Sequence, residues 1–250
     1  MKLQGKTAII AGGARDIGRS ISIKLAQEGA RVAINYHSSE AGARDTLEAV
    51  KSAGGEGIIV KGDMTKSDDV DMLVSETQAA FGTSIDILVN VVGGLVQRKT
   101  LDEMDADFFD QILQLNVTST FLTTKAVAPH MPEGSAIVNL ASLAGRDGGG
   151  PGASAYATSK AAVMTFTRAM AKELGPRQIR VNALCPGMIS TTFHDTFTKD
   201  EVRKNVAGST PLRREGHPDE CADAVAYLAS SESSFITGAN IDINGGLFFS

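Results

Sequence analysis

KTAIIAGGARDIGRSISIKLAQEG, residues 6–29, runs from an apolar segment through a cluster of glycines into a helical pattern. Residues 6–11 have the composition of a strand, and residues 16–28 have helical periodicity. Between them lie Gly12, Gly13 and Gly18. Glycines let the backbone turn tightly and approach a ligand, and the helix behind them offers free N–H groups and a partial positive charge. Strand, glycine turn and helix together predict a pyrophosphate cradle of Gly12, Arg15, Asp16, Ile17 and Gly18, and so a dinucleotide. The glycines alone are weak evidence; the strand before and the helix after give them meaning.

The same alternation continues outward. Residues 31–36, 57–62, 86–92, 135–142, 180–186 and 240–245 read as further strands, apolar on both faces. Residues 40–53, 67–81, 105–130, 156–174 and 218–230 read as helices. Alternation of this kind predicts an α/β fold, a parallel sheet with helices on both faces. No linker or repeat divides the chain, so residues 1–250 are expected to form one domain. Two segments stand apart. Residues 145–155 are Gly-rich, and residues 188–217 are long and weakly patterned, as insertions that cover a site often are.

Composition narrows the function. Of 250 residues, 42 % are hydrophobic and 21 % charged, with a net charge of -5. That balance offers no basic footprint for a nucleic acid. Cys185 and Cys221 are too few for a disulfide framework and suit a reducing cytoplasm. The N-terminus carries no secretory apolar region, and no run reaches the roughly 18 apolar residues of a membrane span. The expectation is a cytoplasmic protein with a small-molecule substrate, no nucleic-acid or membrane partner and no metal.

The end of the second predicted strand should report the choice of dinucleotide. A carboxylate there would bond the ribose 2′-OH of NAD. This chain has Tyr36, His37 and Ser38, with no acid before Glu40. Arg15 could pair two oxygens of a 2′-phosphate, so NADP(H) is preferred, with NAD(H) possible. Further along, Tyr156 and Lys160 are four residues apart and share a helix face. A phenol, with a reference pKa near 10, becomes a usable base at neutral pH only with help, and a nearby ammonium supplies it.

With Gly12 to Gly18, Asn90, Asn116, Ser142, Tyr156 and Lys160 in place, the sequence resembles the short-chain dehydrogenase/reductase family, in its compact form and over the whole chain. The resemblance implies a Rossmann-type doubly wound sheet of seven parallel strands and an NAD(P)-dependent oxidoreductase. It implies that Ser142 bonds the substrate carbonyl and that Tyr156 is the general acid or base. Lys160 would bind the nicotinamide ribose and lower the tyrosine pKa, and Asn116 would hold a water in a proton relay. Asp63, followed by Met64, resembles the adenine-contacting acid. Asn90, Val91 and Gly93 resemble the family's Asn-Ala-Gly segment. Pro186 and Gly187, with Ile189 and Thr191 or Thr192 beyond, resemble the turn beside the nicotinamide. Relatives with the nearest pattern are 3-oxoacyl-carrier-protein reductases and sugar or uronate dehydrogenases. The chain departs from the pattern at Ala11, where a Thr is usual, at Asp16, where a Gly is usual, and at the bulkier Val91 and Val92.

A carrier-protein substrate would need a basic docking patch. Residues 128–137, APHMPEGSAI, lack one, although Arg177 and Arg180 could form a smaller patch. A small polar carbonyl or alcohol is therefore expected, with Gln97, Arg98, Ser142, Arg146, His194 and Arg213 as candidate lining groups. A keto-uronate or keto-sugar acid could set its carboxylate on Arg146 or Arg98. The alternatives are a 3-oxoacyl-carrier-protein reductase and, in another class, a catalytically silent dinucleotide-binding regulator. The apolar tail Leu247, Phe248 and Phe249 suggests an interface, and the family resemblance implies a homotetramer.

Overall fold

Seven parallel strands form one sheet in the computed structural model, which describes residues 1–249. They are β1 (Thr7–Ala11), β2 (Arg31–Tyr36), β3 (Glu56–Lys61), β4 (Ile87–Asn90), β5 (Ala136–Leu140), β6 (Arg180–Pro186) and β7 (Asn240–Ile243). Their order is β3-β2-β1-β4-β5-β6-β7, so the winding reverses between β1 and β4. In register, Ile10 lies beside Ile34 on one side and Val89 on the other. A reversal of this kind opens a crevice at the carboxyl ends of the strands.

The helices in chain order are α1 (Asp16–Gln27), α2 (Glu40–Ser52), α3 (Ser67–Phe81), α4 (Ala106–Leu113), α5 (Ser119–Val127), α6 (Ala144–Asp147), α7 (Ser154–Leu174), α8 (Thr192–Phe197), α9 (Asp200–Ser209) and α10 (Pro218–Ala229). They cover both faces of the sheet. On one face Ile10 and Val32 pack with Ile21 and Leu25 of α1 and Val225 and Leu228 of α10. On the other, Ile9, Leu88 and Ile137 pack with Leu73 of α3, Val127 of α5 and Leu174 of α7. Successive strand residues point to opposite faces, so both Ile9 and Ile10 must be apolar. This is the physical origin of the continuous apolar runs in the sequence.

Three segments differ from their sequence pattern. The helix expected over 105–130 is interrupted by a π-helical turn, Gln114–Thr118, between α4 and α5. Asn116, fully buried, spends its side-chain amide on the carbonyls of Ile112 and Gly94. Nearby, Ser119, Thr120 and Thr123 donate their hydroxyls to carbonyls of the preceding turn. Side chains that compete for helix carbonyls in this way bend or widen the helix. The Gly-rich stretch contains the single turn α6, and α7 begins at Ser154, which places Tyr156 in its first turn. Residues 188–217 fold into α8 and α9, neither of which has a fully buried residue. That lack of a buried stripe explains their weak pattern. The segment is closed at its stem by a bridge between Ile189 and Gly216.

Candidate active site

The glycine turn after β1 is packed so tightly that side chains would not fit. A Cβ on Gly18 would fall 2.0 Å from the Gly12 carbonyl oxygen, and Gly12 itself has φ of 85°. Ala11 lacks the hydroxyl that the family pattern places there, and a residue outside the turn compensates. Asn35, buried on β2, accepts the Gly12 N–H on Oδ1 at 3.1 Å. Its Nδ2 donates to the carbonyls of Val60 and Gly62, which ties the turn to β3. Ile17 packs beside α1's buried stripe, and the side chain of Arg15, just before α1, does not cap the helix's N-terminal N–H groups. The cradle is therefore open to an anion and shaped by missing side chains, which fits a pyrophosphate.

Asp16 takes φ of 50°, in the left-handed region that glycine favours and that Asp tolerates better than most residues. Its carboxylate accepts the N–H of Thr192 at 3.0 Å and the Thr192 hydroxyl at 2.6 Å. The Arg15 guanidinium lies 4.0 Å from it and is otherwise exposed. At the end of β2, Tyr36 is half-buried, while His37 and Ser38 are exposed. Asp63 follows β3. Burial works to raise its pKa, but the N–H and hydroxyl of Thr65 prevail and hold the carboxyl below its ordinary value.

The second half of the site lies beyond the reversal. Lys160 is buried and donates to the Leu140 carbonyl at 2.7 Å. Its Nζ lies 5.8 Å from the Tyr156 ring centroid. A Cβ on Gly93 would meet Asn116 Oδ1 at 2.5 Å and Lys160 Nζ at 2.9 Å. Only glycine lets these two groups approach the strand end together. Asn116 also accepts the Gly94 N–H at 3.0 Å, so it clamps this loop from both directions. Burial pushes the Tyr156 phenol up, and the neighbouring Ser142 hydroxyl draws it back. Burial pulls Lys160 down to about 8. Ser142 Oγ also accepts the Ala144 N–H, which fixes the turn into α6.

The 188–217 segment closes over this group. Phe193 of α8 places its ring 5.8 Å from that of Tyr156, with Phe197 a further 5.2 Å away. Gly187 donates its N–H to Ile243, and Pro186 accepts from Leu143, so the turn after β6 is fixed on both sides. Ile189 and Thr191 are buried, and the Thr191 hydroxyl returns to the Ile189 carbonyl. His194 lies on α8, where burial, and then Arg203, hold its pKa down.

Some candidate residues have other duties. Arg146 is nearly buried, pairs with Asp242 at 2.9 Å and bonds the Asn240 carbonyl at 2.7 Å. It is therefore not free to meet a substrate carboxylate. Arg98 bonds the carbonyls of Phe197 and Pro151, which ties α8 to the Gly-rich loop. The side chain of Asn90 faces inward and is taken up by Asn139 and Thr123, so it is not free for a cofactor. Met64 is buried in the core, which leaves its backbone alone for contact. Arg177 and Arg180 donate to carbonyls of Ala128, Met131, Leu228 and Ser230, so they form no docking patch. Arg213 turns back onto the Gly208 carbonyl. Gln97 is exposed at the rim. Sequence reasoning missed Asn35 and Phe193. A polar residue inside the apolar run 31–36 was a usable signal for the first; nothing in the weak pattern of 188–217 marked the second.

Among the described residues, no group of His, Cys, Asp and Glu could hold a metal ion, and no helix is long and apolar enough to cross a membrane.

The chain is similar to known proteins over nearly its whole length. The family model described as enoyl-(acyl carrier protein) reductase matches residues 12–248. A 3-oxoacyl-(acyl-carrier-protein) reductase, FabG, of Staphylococcus epidermidis is 35 % identical, over 97 % of this chain and 99 % of its own. Glucose 1-dehydrogenase 2 of Bacillus subtilis is 34 % identical, over 98 % of this chain and 95 % of its own. A short-chain dehydrogenase of Burkholderia cenocepacia, solved in complex with NADP, superposes with a TM-score of 0.91 at 33 % identity and covers 99 % of each chain.

Proposed function

The chain belongs to the short-chain dehydrogenase/reductase family and is an oxidoreductase, and from that premise we propose that it transfers hydride between NADP(H) and a small polar carbonyl compound or its alcohol. The observation that carries this reading is the meeting of Ser142, Tyr156 and Lys160 beside Gly93, at the strand ends next to the glycine cradle. NADP(H), when bound, supplies the hydride and the pyrophosphate that the cradle takes. The chain's own residues do the rest. Tyr156, kept protonated by burial, donates its proton to the substrate oxygen while the Ser142 hydroxyl bonds the same oxygen. The Lys160 ammonium beside the ring favours the phenolate left behind. Asn116 holds the Gly93–Gly94 backbone in place and, in this reading, supports the proton's return path.

Exposed Arg15, His37 and Ser38, with no carboxylate at the end of β2, support NADP(H) over NAD(H). We read 188–217 as a lid that brings Phe193 over Tyr156 and keeps water from the site. With Arg146 and Arg98 committed elsewhere, a carboxylate anchor loses its support, so a neutral keto-sugar fits better than a keto-uronate. The missing basic patch argues against an acyl-carrier-protein substrate. Buried free Cys185 and Cys221 suit a cytoplasmic setting. Exposed Phe249, beside half-buried Leu247 and Phe248, supports a homotetramer with the tail at an interface.

The test is oxidation of NADPH and NADH against keto-sugars, keto-uronates, diketones and an acetoacetyl thioester, with Tyr156→Phe as control. Keto-sugar turnover that falls about 10³-fold or more in Tyr156→Phe supports the reading. Near-normal activity in that variant would refute the acid–base role, and thioester turnover would replace the substrate class. Removal of the last four residues should weaken assembly on light scattering; an intact tetramer would sink the tail's role.

A further inference from the structure

We infer that Asp16 is a positioning residue that couples closure of the lid to binding of the cofactor, an inference that rests on the cradle and lid described above. An acid in a pyrophosphate cradle is an electrostatic liability. Here both carboxylate oxygens are turned out of the cradle onto Thr192, the first residue of α8. Asp16 makes this contact from a left-handed backbone conformation. The contact thus bridges the two walls of the cofactor crevice, the glycine turn on one side and the lid on the other.

The bridge has two states with different charge at the cradle. With the lid closed, the carboxylate is engaged by a hydroxyl and an N–H and faces away from the anion site. With the lid open, it is freed beside the position of the pyrophosphate, with Arg15 as its nearby partner. An anionic cofactor therefore favours the closed state, and by linkage closure favours the cofactor. The next residue, Phe193, packs on Tyr156, so the latch also sets the wall of the substrate site.

The experiment is a double-mutant cycle of Asp16→Gly and Thr192→Val, with Asp16→Asn as the conservative variant. Gly at φ of 50° is unstrained, so the first variant keeps the fold. Two quantities are measured: the rate of tryptic cleavage within the lid of cofactor-free protein, at Lys199, Arg203 and Lys204, and NADPH affinity by fluorescence. Asp16→Gly should speed lid cleavage about ten-fold, and Asp16→Asn, which keeps an acceptor, should largely restore resistance. Thr192→Val should weaken NADPH about five-fold at low salt, the size of one exposed charge pair, and the loss should shrink at high salt. In the Asp16→Gly background Thr192→Val should leave affinity unchanged. An equal loss in both backgrounds would show that Thr192 acts without Asp16 and would overturn the coupling. Unchanged cleavage in Asp16→Gly would overturn the latch. Failure of the wild-type protein to bind either nicotinamide cofactor would overturn the cofactor reading, and the coupling with it, while cleavage still reports on the latch.

Discussion

Behind Tyr156 and Lys160 lies a network of neutral groups, whereas the lid is tied down by charges. Under the crevice, Asn90 donates to Asn139 and accepts from Thr123, and Asn139 donates in turn to Thr167. These side chains are at most 3 % exposed and cross-link β4, β5, α5 and α7. In the lid, Arg203 pairs with Glu215 and Asp195, and Arg214 pairs with Glu220 at its stem. Most of these groups keep contact with water. A buried amide network costs the full desolvation of whatever is left unpaired. A surface ion pair exchanges with water and salt at little cost. The wall that carries Tyr156 and Lys160 is built from the first kind, and the 188–217 segment, which we propose as a lid, from the second.

The sharpest test of that contrast is on the rigid side. Lys160→Met should lower kcat/KM about 10³-fold in steady-state assays. It should also stabilise the protein. Burial lowers the Lys160 pKa to about 8 from 10.5, so between those pH values the unfolded chain binds more protons and stability rises with pH. Below pH 8 the buried ammonium is a cost, partly offset by its bond to Leu140. Removing it should raise the melting temperature at pH 7 by roughly 3–6 °C, equivalent to about 1–2 kcal/mol, and the gain should vanish near pH 10. A variant no more stable than wild type at pH 7 would mean that the lysine is not buried at a cost.

Asn139→Ala should cost about 2–3 kcal/mol by denaturant unfolding, because it removes two buried hydrogen bonds at once and leaves the Asn90 amide only its long 3.4 Å bond to Thr124. The loss should be insensitive to salt; strong salt dependence would break the contrast. Arg203→Gln should change global stability by less than about 1 kcal/mol. Its effect should appear in KM, raised a few-fold at low ionic strength and restored toward wild type in about 1 M salt. A large, salt-independent loss of stability there would make the lid part of the rigid body.

Much of this was legible in the sequence, for a physical reason. Buried parallel strands are apolar on both faces, so the inner strands β1, β2, β4, β5 and β6 declared themselves, while the half-buried edge strands β3 and β7 were legible from their place in the alternation. The pairing of Tyr156 with Lys160 follows from one helical turn. What could not be read depends on distant partners. Arg146 looks like a free cation until Asp242, 96 residues later, is placed beside it. Asn35 takes over the role of a hydroxyl missing at Ala11, from another strand. The short helices of the lid have no buried stripe to betray them, so Phe193 appeared only once the chain was folded.

The π-helical turn at Gln114–Thr118 takes up one residue of phase between α4 and α5. It accommodates one residue more than an α-helical turn, and one residue corresponds to about 100° of rotation. Upstream, Phe108 and Ile112 face Ala155 at the start of α7; downstream, Thr123 and Val127 face the sheet. Deleting a single residue here would let the turn close as regular α-helix and leave the two segments in phase. Thr123 would keep its place beside Asn90, whereas Asn116, on the widened turn itself, would lose its alignment with Gly94. In this segment the widened turn stores one residue of slack, so the chain carries an additional residue, and with it Asn116, without turning the wall beyond.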